Sequence, residues 1–336
     1  MVAAPIQELS ALDDETIRRD VLTGGRPAVL RGLVSKWPAV TMGSPLAVVE
    51  YLRRFDTGSL VDAIMTPPEI QGRVFYDSAM NGFNFVRNRL PISAVAEQVL
   101  RYSGFERAPA VAAQSALLRD CLPGFSAENV LTVLDSAILP RIWLGNAITT
   151  PTHLDEWNNI GCVVSGRRRF TLFPPEQIAN LYIGPLDFAP TGAPMSLVPL
   201  HDPDFQRFPR FRAALAAAVS AELGPGDAIY IPPLWWHHVE SLERFNVLVN
   251  YWWHGAGGPP AGAPAGFDTL LHAIVSLRTL PPATREAWRA IFDHFVFGTQ
   301  VGVTEHIPEH RRGILGKLSP AEVASLLAHL VERLKK

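Results

Sequence analysis

Five short apolar runs, RIWLGNAI, NIGCVVSG, RRFTLFPP, DAIYIPP and NVLVNYWW, follow one another between residues 141 and 253, with Gly, Pro and Asn between them. Strands this short, punctuated this often by turn residues, fit an antiparallel sandwich or barrel. This series constrains the fold more than any other feature. The fold class it predicts is mainly β with α. One insertion, roughly 176–222, interrupts the series. It holds a Pro-rich loop and a predicted helix, FRAALAAAVSAEL (211–223), stopped by Gly224-Pro225-Gly226.

The segments on either side read differently. Residues 13–22, 44–56 and 92–102 have helical spacing. RPAVLRGLVSKWPAV (26–40) opens with a β-rich run, and GRVFYDSAMNGFNFV (72–86) alternates like a hairpin with Asn81-Gly82 at its bend. A linker-like run, GAGGPPAGAPAG (255–266), separates all this from a helical end. There Trp288, Ile291, Phe292, Phe295 and Val296 recur on one face. Ser319-Pro320-Ala321-Glu322 is a capping box with Pro at the first helical position, and Val323, Leu326, Leu327, Leu330, Val331 and Leu334 form the stripe behind it. The expected domains are therefore 1–255, a β domain with an N-terminal α/β elaboration, and 256–336, a helical region.

Composition narrows the function classes. The 336 residues are 48% hydrophobic and 18% charged, which suits a packed core and not a disordered chain. A formal net charge of −2 supplies no global field for nucleic acid or an anionic membrane. Cys121 and Cys162 are no disulfide framework, so a reduced, cytoplasmic setting is expected. The run MVAAPIQELSALDDETIRRD lacks a basic segment followed by an apolar one, so no secretory signal is expected, and no stretch reads as a membrane span.

Within this apolar chain the stretch PTHLDEWNN (151–159) is dense in polar groups. On a strand, residues two apart share a face, so His153 and Asp155 can grip one metal ion from one side. An isolated His-x-Asp is more often a surface pair. Here, however, His237-His238 follow a short strand and two tryptophans in GPGDAIYIPPLWWHHVESL (224–242). Two histidines and a carboxylate on one face of an ion leave positions open, as in non-haem Fe(II) oxygenases, whereas zinc is more usually four-coordinate. Strand alternation alone does not choose between His237 and His238.

THLDEWNNIGCVVSGRRRFTLFPPEQ, FQRFP, GPGDAIYIPPLWWHHVESL and NVLVNYWW, in this order and preceded by RPAVLRGLVSKWPA, resemble a JmjC domain of the cupin-like group, in particular its asparaginyl hydroxylases. The resemblance covers roughly residues 20–255. It implies an eight-stranded double-stranded β-helix (a cupin or jelly-roll core) that binds Fe(II) and the co-substrate 2-oxoglutarate and uses O2. It implies His153, Asp155 and His237 as catalytic metal ligands, the second histidine falling directly after the aromatic pair. Arg168 matches the group's basic anchor for the far carboxylate of 2-oxoglutarate, where the similar hydroxylase has lysine. Thr150 matches a hydroxyl on the same carboxylate, and Asn159 and Asn250 match polar positions near the co-substrate. Arg167 and Arg169 are expected to point away from Arg168. The chain departs from the group twice: APAVAAQSALL (108–118) has no tyrosine to contact the co-substrate, and Gly161 stands in place of a bulky aromatic.

Glu156 and Trp157 are expected at the mouth of the site, with Trp236 and Trp252 lining a substrate groove, although core packing accounts for part of the tryptophan set. The reading that follows is an Fe(II)- and 2-oxoglutarate-dependent dioxygenase, a hydroxylase of a protein side chain or small molecule. Its other expected features are no nucleic-acid or membrane partner and a homodimer through the C-terminal helices. The alternatives are a metal-binding cupin with other chemistry, such as a 2-oxoglutarate-independent dioxygenase or an isomerase, and a non-catalytic binding protein.

Overall fold

The computed structural model describes residues 3–190, 192–255, 265–298 and 303–335. The chain divides into two compact units, Met1–Trp253 and His254–Lys336. In the first, fourteen strands are described: β1 (Ala4–Pro5), β2 (Gln7–Ser10), β3 (Ala28–Arg31), β4 (Leu60–Thr66), β5 (Val86–Pro91), β6 (Ala110–Leu117), β7 (Pro140–Gly145), β8 (Thr149–Leu154), β9 (Asn158–Ser165), β10 (Arg168–Phe173), β11 (Val219–Leu223), β12 (Ala228–Ile231), β13 (Trp236–Ser241) and β14 (Asn246–Trp253). They form a five-stranded sheet, β1-β11-β10-β13-β8, and a nine-stranded sheet, β2-β3-β12-β9-β14-β7-β6-β4-β5. From β7 onward the chain passes repeatedly from one sheet to the other. The resulting antiparallel sets, β11-β10-β13-β8 and β12-β9-β14-β7, are the two faces of a jelly-roll, the cupin fold expected from the sequence.

Period-2 alternation explains which side chains enter the space between the sheets. On β9, Ile160, Cys162 and Val164 face outward into a core with the helices Pro45–Arg53 and Ile92–Ser103. On β14, Val247, Val249 and Tyr251 do the same. The complementary residues Val163, Phe170, Leu172, Ile229, Ile231 and Leu248 meet between the two sheets. At β13 the outward face carries Trp236, buried with Phe173, Leu181, Phe208 and Phe211 under the insertion.

Several local expectations change. The helix predicted over 211–223 ends at Ala217, and Val219–Leu223 is β11, paired to β10 from Leu172↔Val219 to Arg168↔Leu223. The alanines favour helix, but an open strand edge on β10 offers the next five residues a full ladder. The hairpin predicted over 72–86 shrinks to one bridge, Tyr76↔Phe83, while Val86–Pro91 pairs with β4 instead. The Asp77 carboxylate accepts from the backbone of Ala79 and Asn81 and shapes that loop as a turn, not a ribbon. The helix expected over 13–22 is a single α turn, Asp14–Thr16, followed by a π turn, Ile17–Val21.

The second unit contains the helices Gly266–Leu277, Pro282–Phe292 and Pro320–Leu334. Ser319 and Glu322 form the capping box reciprocally. Residues 256–264, most of the linker-like run, lie outside the described residues. Among the described residues no helix is long and apolar enough to cross a membrane.

Candidate active site

β8 and β13 lie side by side, with His153 directly opposite His237 and their rings 4.2 Å apart between centroids. Asp155 follows the end of β8, and its Oδ2 lies 3.6 Å from His237 Nε2. The three ligating atoms of His153, Asp155 and His237 all fall within 4.8 Å of one another. Each imidazole is oriented by a backbone carbonyl: His153 Nδ1 lies 2.8 Å from Pro151 O and His237 Nδ1 lies 3.0 Å from Trp235 O. A ring that donates its Nδ1–H outward presents the lone pair of Nε2 inward, the tautomer a metal requires. Burial, and then the neighbouring His237, push the pKa of His153 down to about 4, so this ring is neutral at pH 7.

Asp155 is held as firmly. Trp252 Nε1 donates to its Oδ2 at 3.1 Å and Asn159 Nδ2 reaches the same atom at 3.5 Å. Asn250 Nδ2 donates to Asn159 Oδ1 at 3.2 Å, and Trp143 Nε1 donates to Asn250 Oδ1 at 2.9 Å. A chain of donors thus runs from Trp143 on β7 through β14 and β9 to the carboxylate. Trp143 was not anticipated. Its parity on β7, between the outward Ile142 and Leu144, is the sequence signal that points it inward.

These groups line one cavity of about 120 Å³ together with Gln114, Thr150, Gly161, Arg168, Phe170, Ile229, Val239 and Leu248. A water needs about 10–15 Å³ of such space, so the cavity is large enough for a small organic acid. Gln114 was also missed, though a lone amide in the apolar run AVAAQSALL is its signal.

Thr150 and His153 line this cavity together although three positions apart, a spacing that puts residues of a regular strand on opposite faces. The pairing shows why: Val239 is opposite Thr150 and His237 opposite His153, so β8 carries one extra residue across two of β13. This β-bulge turns both side chains inward.

Arg168 is 8% exposed, and its Nε has no hydrogen-bond partner among the described residues. Burial alone pushes its pKa down to about 10. Its neighbours point the other way: Arg167 pairs with Glu243, and Arg169 with Glu222 and Glu240. A buried guanidinium without a carboxylate is expensive, and an anionic ligand is the partner that offsets the cost. The donor set therefore fits both groups implied for this fold: two imidazoles and a carboxylate for Fe(II), and in the same cavity a buried guanidinium with an unpartnered Nε for a dicarboxylate.

The other predicted positions separate. Trp252 lines the cavity, Glu156 is partly exposed, and Trp157, at 40% exposure, is at the surface. Trp236 does not line a groove. It is 2% exposed and locked among Phe173 and Phe211, because alternation on β13 that turns His237 inward turns Trp236 outward. His238 shares that outward parity and is absent from the cavity wall.

Comparison with known proteins agrees with this architecture. Residues 14–257 match the family described as a cupin-like domain. Human HSPB1-associated protein 1 is 38% identical over 33% of this chain and 22% of its own length, so the chain spans less than a quarter of that relative. Lysine-specific demethylase 8 of Xenopus tropicalis is 25% identical over 71% of this chain and 50% of its own length. The human bifunctional peptidase and (3S)-lysyl hydroxylase JMJD7 is 26% identical over 70% of this chain and 79% of its own length. With a family match over most of its length, resting on the jelly-roll that carries the His-Asp-His group, this chain belongs to the cupin-like domain family of JmjC type.

Proposed function

We propose that the protein is an Fe(II)- and 2-oxoglutarate-dependent oxygenase, a hydroxylase of a protein side chain or a small molecule. The observation that carries this reading is the buried guanidinium of Arg168, its Nε unpartnered, in the same cavity as the His153–Asp155–His237 group. His153, Asp155 and His237 would hold the metal, and Arg168 with Thr150 would hold the far carboxylate of the co-substrate. When bound, Fe(II) with 2-oxoglutarate and O2 supplies the oxidising chemistry.

The chain's own contribution is positioning. The carbonyls of Pro151 and Trp235 fix the imidazoles, Trp252 and Asn159 fix Asp155, and the guanidinium sets the direction of the acid. Phe170, Ile229, Val239 and Leu248 wall the cavity and keep bulk water from the reacting groups. The names of two relatives, a lysine-specific demethylase and a lysyl hydroxylase, favour a polypeptide side chain over a free metabolite.

One observation supports a second reading. β6, where the group has a tyrosine, contributes Gln114 to the cavity wall and no phenol, so the acid has one contact fewer. A metal-binding cupin with chemistry independent of 2-oxoglutarate would show this too. An anaerobic titration separates the two. Fe(II) and then 2-oxoglutarate are added to apoprotein while the visible metal-to-ligand charge-transfer band is followed. The expected band forms in wild type, disappears in His153→Ala and weakens in Arg168→Ala. Iron binding with no band supports the second reading.

A further inference from the structure

We infer that Gly161 is a specificity-determining residue, which keeps the acid cavity wide enough for a dicarboxylate carrying apolar bulk on its carbon frame. The inference deepens the proposed function and rests on its assignment of an acid to Arg168. Gly161 sits inside β9, a central strand paired with β12 at Ile229 and with β14 at Asn250. Glycine weakens a strand interior, because it loses more backbone entropy on folding and has no side chain to pack. Two causes usually keep it there, and neither applies. Its φ is outside the left-handed region, so the backbone does not require glycine. A Cβ built at this position meets Ile229 Cγ2 at 3.6 Å and Leu248 at 3.6 and 3.8 Å, which is ordinary contact, so there is no close approach to avoid.

What remains is the space itself. Gly161, Ile229 and Leu248 all line the cavity that also holds Arg168 and the His-Asp-His group. With β12 and β14 on either side, a side chain longer than a methyl has nowhere to extend except into that cavity. The walls around the opening, Ile229, Leu248 and Phe170, are apolar, while the charged and amide groups come from Arg168, Gln114, Asn159 and Asn250 and from Asp155 in the His-Asp-His group. That arrangement takes a ligand with carboxylates at its ends and hydrocarbon between them, with room for more than a linear chain.

The test measures binding, not turnover. Zinc-loaded wild type, Gly161→Ala and Gly161→Leu are titrated by calorimetry with 2-oxoglutarate and with pyridine-2,4-dicarboxylate, a planar and wider diacid. Zinc affinity and thermal midpoint are measured for each variant. Wild type is expected to bind both acids within about tenfold of each other. Gly161→Ala is expected to keep 2-oxoglutarate and lose at least tenfold on the wider acid. Gly161→Leu is expected to lose at least thirtyfold on both acids while its zinc affinity stays within threefold. Unchanged affinities in Gly161→Leu overturn the inference and leave the proposed function standing, as does a wild type that takes 2-oxoglutarate and rejects the wider acid. Loss of zinc along with the acids in Gly161→Leu also overturns it, since the glycine then serves the fold. A wild type that binds neither acid overturns both the inference and the proposed function. Normal acid binding without any oxidation in the iron form counts against the proposed function alone.

Discussion

Asp155 receives hydrogen bonds from Trp252 and Asn159 on its Oδ2, so the orientation of one carboxylate depends on an indole and an amide from two other strands. Removing such an outer partner typically costs about 10–100-fold in metal affinity. Trp252→Phe keeps the ring and removes the donor. Competition with a chelator is expected to show metal affinity falling about tenfold, with the thermal midpoint of the apoprotein little changed. His238 provides a pH prediction. Burial, and then the nearby His153, push its pKa down to about 3. The unfolded chain takes up this proton near pH 6.5, long before the folded one does. The contribution of the neutral ring is thus complete above about pH 6.5 and is lost as pH falls toward about 3. Urea midpoints of apoprotein should therefore drop between pH 6.5 and pH 4, and the drop should be shallower in His238→Asn. Equal slopes for the two proteins would remove His238 from the explanation.

At the level of elements, the site depends on two irregularities in otherwise regular strands. One is the bulge in β8, which brings Thr150 to the face that holds His153. The other is the turn between β9 and β10, where Gly166 has φ +74° and a Cβ would collide with the Phe245 carbonyl and the Asn246 side chain. A side chain in this left-handed conformation costs about 1–2 kcal/mol before any collision is counted. Gly166→Ala is expected to lower the thermal midpoint by several degrees and, since Arg168 lies two residues on, to weaken diacid binding as well. Trp236 belongs to the outer face of the same sheet, and Trp236→Ala is expected to cost about 3–5 kcal/mol in urea unfolding. A loss of diacid binding in folded Trp236→Ala, without loss of stability, would contradict its placement in the core. The insertion shows where local pattern fails. Ala213 to Leu223 has helical composition throughout, yet pairing with β10 takes the last five residues as strand.

At the scale of the whole molecule, the C-terminal unit taken by itself carries Trp288, Ile291, Phe295, Val296, Leu330, Val331 and Leu334 at its surface, a large amount of apolar side chain. We propose that a second copy covers it. Deleting residues 319–336 is expected to give a monomer or an insoluble chain by light scattering, and a soluble, unchanged dimer would end that proposal. The sequence by itself indicated an antiparallel sandwich or barrel, because apolar runs of strand length separated by turn residues have few other ways to bury both faces, and its resemblance to the cupin-like group narrowed this to a jelly-roll. It also singled out the candidate ligands, His153 and Asp155 through their spacing and His237 through the resemblance, and the inward turn of Arg168 against Arg167 and Arg169 follows from strand parity. Tertiary structure decided which strands and faces meet. The bulge put Thr150 beside His153, the insertion buried Trp236 and took β11 from a helical pattern, and β7 and β6 brought Trp143 and Gln114 into the cavity. These outcomes depend on which strand lies next to which, and that is set by long-range pairing energy, not by any local run of residues.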